Sequence, residues 1–143
     1  MQPKILIVED DRFLSSIIKS RMEHDGFVVD QAFDGDEGVQ KIKSFKPDLV
    51  ILDIIMPKMS GFELMEHIIT DPELAAIPII VASNLGQEAD VEKARSLGAA
   101  DYYVKARTSI DDLENMIKNH LAKKTAFADQ QPQPPPVPPA PPA

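Results

Sequence analysis

Six side chains able to do chemistry close short apolar runs in this sequence. Glu9, Asp10 and Asp11 follow "KILIV", Asp53 follows "LVIL", Ser83 ends "IPIIVAS" and Lys105 ends "DYYVK". A carboxylate such as Asp53 beside an apolar run is costly unless it is protonated, paired with a cation, or at a strand end where the chain meets solvent. Pro57 cannot continue a central strand, and Ser60-Gly61 reads as a turn entering a helix, which favours the third choice and puts Asp53 at the carboxyl end of a strand. Asp10 and Asp53 close together would repel, and one pKa would rise unless a hard cation came between them. Mg²⁺ accepts one or two carboxylates with a carbonyl and waters. A carboxylate attacking phosphorus needs the charge on the phosphoryl oxygens neutralised, which Mg²⁺ and a lysine ammonium can supply, while a hydroxyl donates one more hydrogen bond. The set suits phosphoryl transfer onto an aspartate.

The elements that must position these residues are legible in the same runs. "KILIV" (4–8), "FVVDQA" (27–32), "DLVILD" (48–53), "IPIIVAS" (77–83) and "DYYVK" (101–105) read as five strands. Between them apolar residues recur at helical spacing: Leu14, Ile17, Ile18 and Met22; Val39 and Ile42; Leu64, Met65, Ile68 and Ile69; Val91, Ala94 and Leu97; Leu113, Ile117 and Leu121. Ser60 and Glu63 are spaced as a capping box, Gly98 follows the helix ending at Leu97, and Ser109 with Asp112 opens the last helix. Alternating strands and helices imply an α/β, doubly wound fold: a five-stranded parallel sheet with five helices on its two faces. The crevice of such a sheet lies beyond the carboxyl ends of its strands, which is where all six residues stand.

The chain has 143 residues, 43% hydrophobic, enough for one domain with one ordinary core. Its formal net charge of −8 argues against a nucleic-acid or anionic-membrane partner and favours proteins or cations. With no cysteine there is neither a disulfide framework nor a thiolate metal site, which fits a cytoplasmic protein. No stretch approaches the roughly 20 apolar residues of a membrane span, and the start lacks a secretory signal. After Lys124 the composition changes: "QQPQPPPVPPAPPA" holds eight of the 13 prolines, so residues 125–143 are expected to form a disordered tail biased to polyproline II, following a folded unit over 1–124.

Over residues 4–122 the sequence resembles the receiver domain of two-component response regulators, the chemotaxis-regulator-like, flavodoxin-like fold. The resemblance rests on Glu9-Asp10 after "ILIV", Asp53 followed by "IIMPKMSG", Ser83 after "IIVA", "GAADYYVK" ending in Lys105, and the order of the βα units. It implies that Asp53 is the phosphoacceptor and that Asp10, Asp53 and the backbone carbonyl of Ile55 bind Mg²⁺ with help from Glu9. It further implies that Ser83 is the switch hydroxyl, Lys105 the phosphoryl-contacting cation and Tyr102 the switch aromatic. The implied partners are a histidine kinase or histidine phosphotransfer protein upstream. Downstream, a protein target would be met through the fourth helix, fifth strand and fifth helix, with no output domain of the chain's own. Ile55 and Leu85 are expected to flank the phosphoryl group and to hinder water.

Three positions depart from the family pattern. Ala106 follows Lys105 where proline is usual, Asn84 follows Ser83 where a very small residue is usual, and Ser60 replaces a frequent aspartate while remaining a good cap. Other functions fit less well. A phosphatase of the haloacid dehalogenase type needs a second aspartate two residues after its nucleophile, where Ile55 stands. A dinucleotide-binding enzyme needs a glycine-rich turn after the first strand. A pseudo-receiver that binds without phosphorylation remains the alternative to a switch, and the complete Asp10, Asp53, Ser83 and Lys105 set argues against it.

Overall fold

The computed structural model describes residues 2–130, with side chains through residue 122. Five strands, β1 (Lys4–Val8), β2 (Val28–Ala32), β3 (Leu49–Leu52), β4 (Ile79–Ser83) and β5 (Asp101–Val104), form one parallel sheet in the order β2-β1-β3-β4-β5. The three central strands are buried on both faces, so their sequences are nearly unbroken runs of Ile, Leu and Val rather than alternating ones. Alternate residues feed two cores. Leu6, Val8, Val50, Leu52 and Val81 pack with Ile42, Leu64, Met65 and Ala94 on one face. Ile5, Ile7, Leu49, Ile51 and Ile80 pack with Ile18, Met22, Leu113, Ile117 and Leu121 on the other.

Helices α1 (Arg12–His24) and α6 (Ile110–Gln130) cover the second face, and α2 (Gly35–Phe45), α3 (Gly61–Ile69) and α5 (Glu88–Ser96) the first. The doubly wound expectation is met with one addition. A short helix, α4 (Pro72–Ala75), lies between α3 and β4, so the described residues hold six helices where the periodicity gives five. Its four residues are too few for an apolar repeat, but its start is written in the sequence: Asp71 caps it by accepting from the Glu73 N–H at 3.0 Å, and Pro72 fills the first position, where no N–H is needed. The fourth and fifth helices of the sequence reading are therefore α5 and α6.

The expected caps form. Ser60 and Glu63 make a reciprocal capping box on α3, with Ser60 Oγ accepting from Glu63 N–H at 3.2 Å and Glu63 Oε1 accepting from Ser60 N–H at 3.1 Å. Ser109 Oγ accepts from Asp112 N–H at 3.2 Å to open α6. Gly98 follows α5 with φ of +100°, in the left-handed region that suits glycine. The expected boundary at residue 124 lies within α6, and residues 131–143 of the proline-rich segment lie outside the described residues.

Candidate functional site

The site grows from the register of the central strands. Val8 and Leu52, the last residues of β1 and β3, are paired, so the chain leaves both strands side by side at the point where the strand order reverses. Asp53 N–H donates to Val8 O at 2.9 Å, and Glu9 N–H donates to Ala32 O at 3.0 Å. These ladder bonds hold Glu9 and Asp53 just beyond the sheet. Asp10 comes next and is exposed. Asp11 belongs to the helix rather than to the site: its carboxylate caps α1 by accepting from Leu14 N–H at 3.1 Å, while its own N–H donates to Glu9 Oε2 at 3.1 Å. Ser83 and Val104 are paired at the ends of β4 and β5, and Lys105 N–H donates to Ser83 O at 2.9 Å.

This geometry brings carboxylate oxygens of Glu9, Asp10 and Asp53 within 4.8 Å of one another. Lys105 reaches in from the end of β5, its ammonium contacting Glu9 Oε1 and lying 3.4 Å from Asp53 Oδ2. Asp53 is placed at a strand end as the sequence predicts, but it does not meet solvent there. It is only 5% exposed, and it is tolerated because Lys105 supplies a positive charge and because Oδ1 accepts from Ile54 N–H at 2.8 Å. The Glu9 carboxyl is pushed up to about 7, chiefly by burial, against the pull of its hydrogen bond with Lys105 and with the Asp53 charge adding to the rise. Lys105 is held above the ordinary lysine value: burial opposes its charge, and Glu9 and Asp53 more than offset this. Three acidic groups facing one crevice make an oxygen donor set of the kind Mg²⁺ prefers, so the residues present fit that ion.

The loop from Asp53 to α3 folds back tightly. Gly61 N–H donates to Ile54 O at 2.8 Å, and a Cβ added at Gly61 would lie 2.3 Å from Asp53 O. Only glycine allows this approach. Reading Gly61 as a turn residue misses that it presses on the backbone of Asp53 itself, a contact that links residues eight apart and has no local sequence signal. The same loop passes through Lys58 in the left-handed region at φ 69°, with its ammonium 3.5 Å from Asp34 Oδ2 at the start of α2.

Ser83 is fully buried, and its Oγ accepts from Leu85 N–H at 3.2 Å. Tyr102, half-buried, donates its hydroxyl to Leu85 O. Burial raises the Tyr102 hydroxyl pKa, Asp90 adds to this, and Ser83 opposes it. Tyr102 therefore joins the loop after Ser83 rather than the acidic cluster. Ile55 is 61% exposed, whereas Leu85 packs against the core, so the two apolar residues do not form matching walls. Among the described residues no peptide bond is cis, so Lys105–Ala106 is trans.

Residues 5–118 match the response regulator receiver domain family. The chain belongs to that family. It is 43% identical over 105 residues to the chemotaxis protein CheY of Treponema pallidum, covering 71% of this chain and 72% of that one. It is 39% identical over 105 residues to the phosphate regulon transcriptional regulatory protein PhoB of Rhizobium meliloti, covering 73% of this chain and 46% of that one. Among solved structures, the receiver domain of the Francisella response regulator 1452 superposes with a TM-score of 0.77 at 31% identity, covering 87% of this chain and 99% of that one. The chain spans about half the length of the transcriptional regulators it matches. The receiver is thus what these proteins share with this chain, and receivers are signalling switches of two-component systems that typically carry an acidic Mg²⁺ pocket.

Proposed function

We propose that this receiver is a phosphoacceptor switch in which Asp53 takes a phosphoryl group from a histidine kinase or histidine phosphotransfer protein in a Mg²⁺-dependent reaction. The observation that carries this reading is the convergence of Glu9, Asp10 and Asp53 with the Lys105 ammonium beside Asp53. A carboxylate oxygen of Asp53 attacks the phosphorus of the donor; the new O–P bond forms as the donor's N–P bond breaks, and the donor imidazole keeps that electron pair and takes up a proton. Asp10, Asp53 and the Ile55 carbonyl would hold Mg²⁺, with Glu9 assisting, and the ion would supply positive charge to the phosphoryl oxygens. Lys105 is already at the nucleophile, so its ammonium can follow the charge from carboxylate to phosphoryl oxygen without a large movement. Ser83 lends its hydroxyl to a phosphoryl oxygen, and Tyr102, tied to the same loop, carries that change to the surface of α5, β5 and α6. There a protein target is met, with no nucleic acid or membrane involved.

The folded receiver is taken to end near residue 124, past Leu121, a core residue of α6, with the proline-rich segment beyond it. The proposed setting is the cytoplasm, in keeping with a cysteine-free two-component receiver. Among the described residues no helix is long and apolar enough to cross a membrane. Incubation with acetyl phosphate and Mg²⁺, followed by intact mass, tests the switch. One phosphate should add to the wild type and none in EDTA or in Asp53→Asn. A wild type that stays unmodified would favour a constitutive pseudo-receiver.

A further inference from the structure

The loop between β4 and α5 is tied down at three consecutive points. Leu85 N–H holds Ser83 Oγ at 3.2 Å, the Tyr102 hydroxyl holds Leu85 O, and the Arg107 guanidinium donates to Gly86 O at 2.8 Å. The first two ties involve residues already assigned to the switch. Arg107 is not among them. It lies two residues after Lys105, its backbone is anchored by N–H donation to Val104 O at 3.1 Å, and among the described residues its side chain forms no ion pair. Gly86 makes room for it: a Cβ there would lie 1.9 Å from a guanidinium nitrogen and 3.2 Å from Val104 Cγ1. Arginine and glycine thus fit each other across the gap between two loops that both border the phosphoryl site.

We propose that Arg107 is a positioning residue that latches the β4–α5 loop in its unswitched setting and so raises the cost of drawing Ser83 toward a phosphoryl group. This rests on the phosphoacceptor reading of Asp53. An anion over Asp53 that recruits the Ser83 hydroxyl pulls on Leu85, whose N–H is bound to that hydroxyl, and Leu85 pulls on Gly86. Arg107 holds Gly86 to the end of β5 and opposes the movement. A contact present in one state and lost in the other biases the equilibrium by its own free energy. For a single charge-assisted hydrogen bond exposed to water, the expected change in apparent affinity is about three- to tenfold.

The test is titration of the Mg²⁺-saturated protein with beryllofluoride, a phosphoryl mimic, followed by amide resonances of Leu85 and Gly86. Arg107→Ala and Gly86→Ala, which break the contact from opposite sides, should both bind more tightly by that factor, with Arg107→Lys nearer the wild type. Before any ligand is added, the Leu85 and Gly86 resonances of Arg107→Ala should already lie part of the way toward their bound positions. Wild-type binding with both alanine variants equal to it or weaker overturns the latch and leaves the phosphoacceptor reading standing. A wild type that does not bind the mimic overturns that reading and the latch with it.

Discussion

Lys105 is the residue on which the unliganded site depends most. Its ammonium sits against two carboxylates that are each less than 10% exposed, Glu9 and Asp53, so its removal leaves both without a cation in a setting that water barely reaches. Lys105→Met is expected to destabilise the metal-free protein by about 2–4 kcal/mol in denaturant unfolding at neutral pH. Saturating Mg²⁺ should recover much of that loss, because it brings positive charge to the same oxygens. An equal loss with and without Mg²⁺ would show that Lys105 is packed for its stem rather than its charge. Asp10 is exposed, and in the proposed cation site it would contribute charge rather than stability to the fold. Asp10→Ala should therefore leave the unfolding midpoint near that of the wild type while Mg²⁺ affinity, measured by calorimetry, falls sharply. Ile55 is exposed two residues after Asp53, and hydrolysis of an acyl phosphate needs a water held in line with phosphorus. Ile55→Asn, which can hold such a water, should shorten the phosphoprotein lifetime once donor is removed; each ~1.4 kcal/mol recovered in the barrier gives about tenfold. An unchanged decay would show that this side chain does not gate water.

At the scale of elements, the loop from β3 to α3 separates two roles that the sequence runs together in "SG". Ser60 stabilises the helix through its cap, and Gly61 protects the position of Asp53. Ser60→Ala should cost about 1 kcal/mol and leave phosphorylation intact. Gly61→Ala should cost about 1–3 kcal/mol and slow phosphorylation too, because the added methyl must displace the Asp53 backbone or the start of α3. Equal phosphorylation rates in the two variants would contradict this division. Strands and long helices were legible because each is dictated by its own residues: unbroken Ile, Leu and Val for strands buried on both faces, and 3.6-residue spacing for helices. The placement of Asp53, Ser83 and Lys105 at strand ends followed from the same rule. What the sequence hid was contact between distant segments. The pairing of Lys105 with Glu9, the burial of Asp53 and the seat of Arg107 on Gly86 each join residues 21 or more apart. The short helix α4 was missed for a different reason, since only its Asp-Pro start marks it.

The whole molecule is a sheet held between two cores, and α6 closes one of them with Leu113, Ile117 and Leu121. Ending the chain after Lys124 should leave thermal stability and phosphorylation unchanged, since these three side chains remain. Leu121→Ala should cost about 2–4 kcal/mol through the cavity it opens. A large loss from the truncation would place part of the folding unit beyond residue 124. In the proposed function the fold serves to bring strand ends together: the carboxylates of Glu9, Asp10 and Asp53 beyond β1 and β3 share one crevice with the Lys105 ammonium beyond β5, and Ser83 ends the neighbouring β4. The most direct measurement of that account is reductive trapping. The protein is phosphorylated with acetyl phosphate and Mg²⁺, treated with borohydride, which converts an aspartyl phosphate to homoserine, and mapped by peptide mass spectrometry. Homoserine at position 53 alone, absent when Mg²⁺ is chelated, is the expected result. Homoserine at Asp10 or elsewhere, or none in a protein that carries phosphate, would contradict the assignment of Asp53 as the phosphoacceptor.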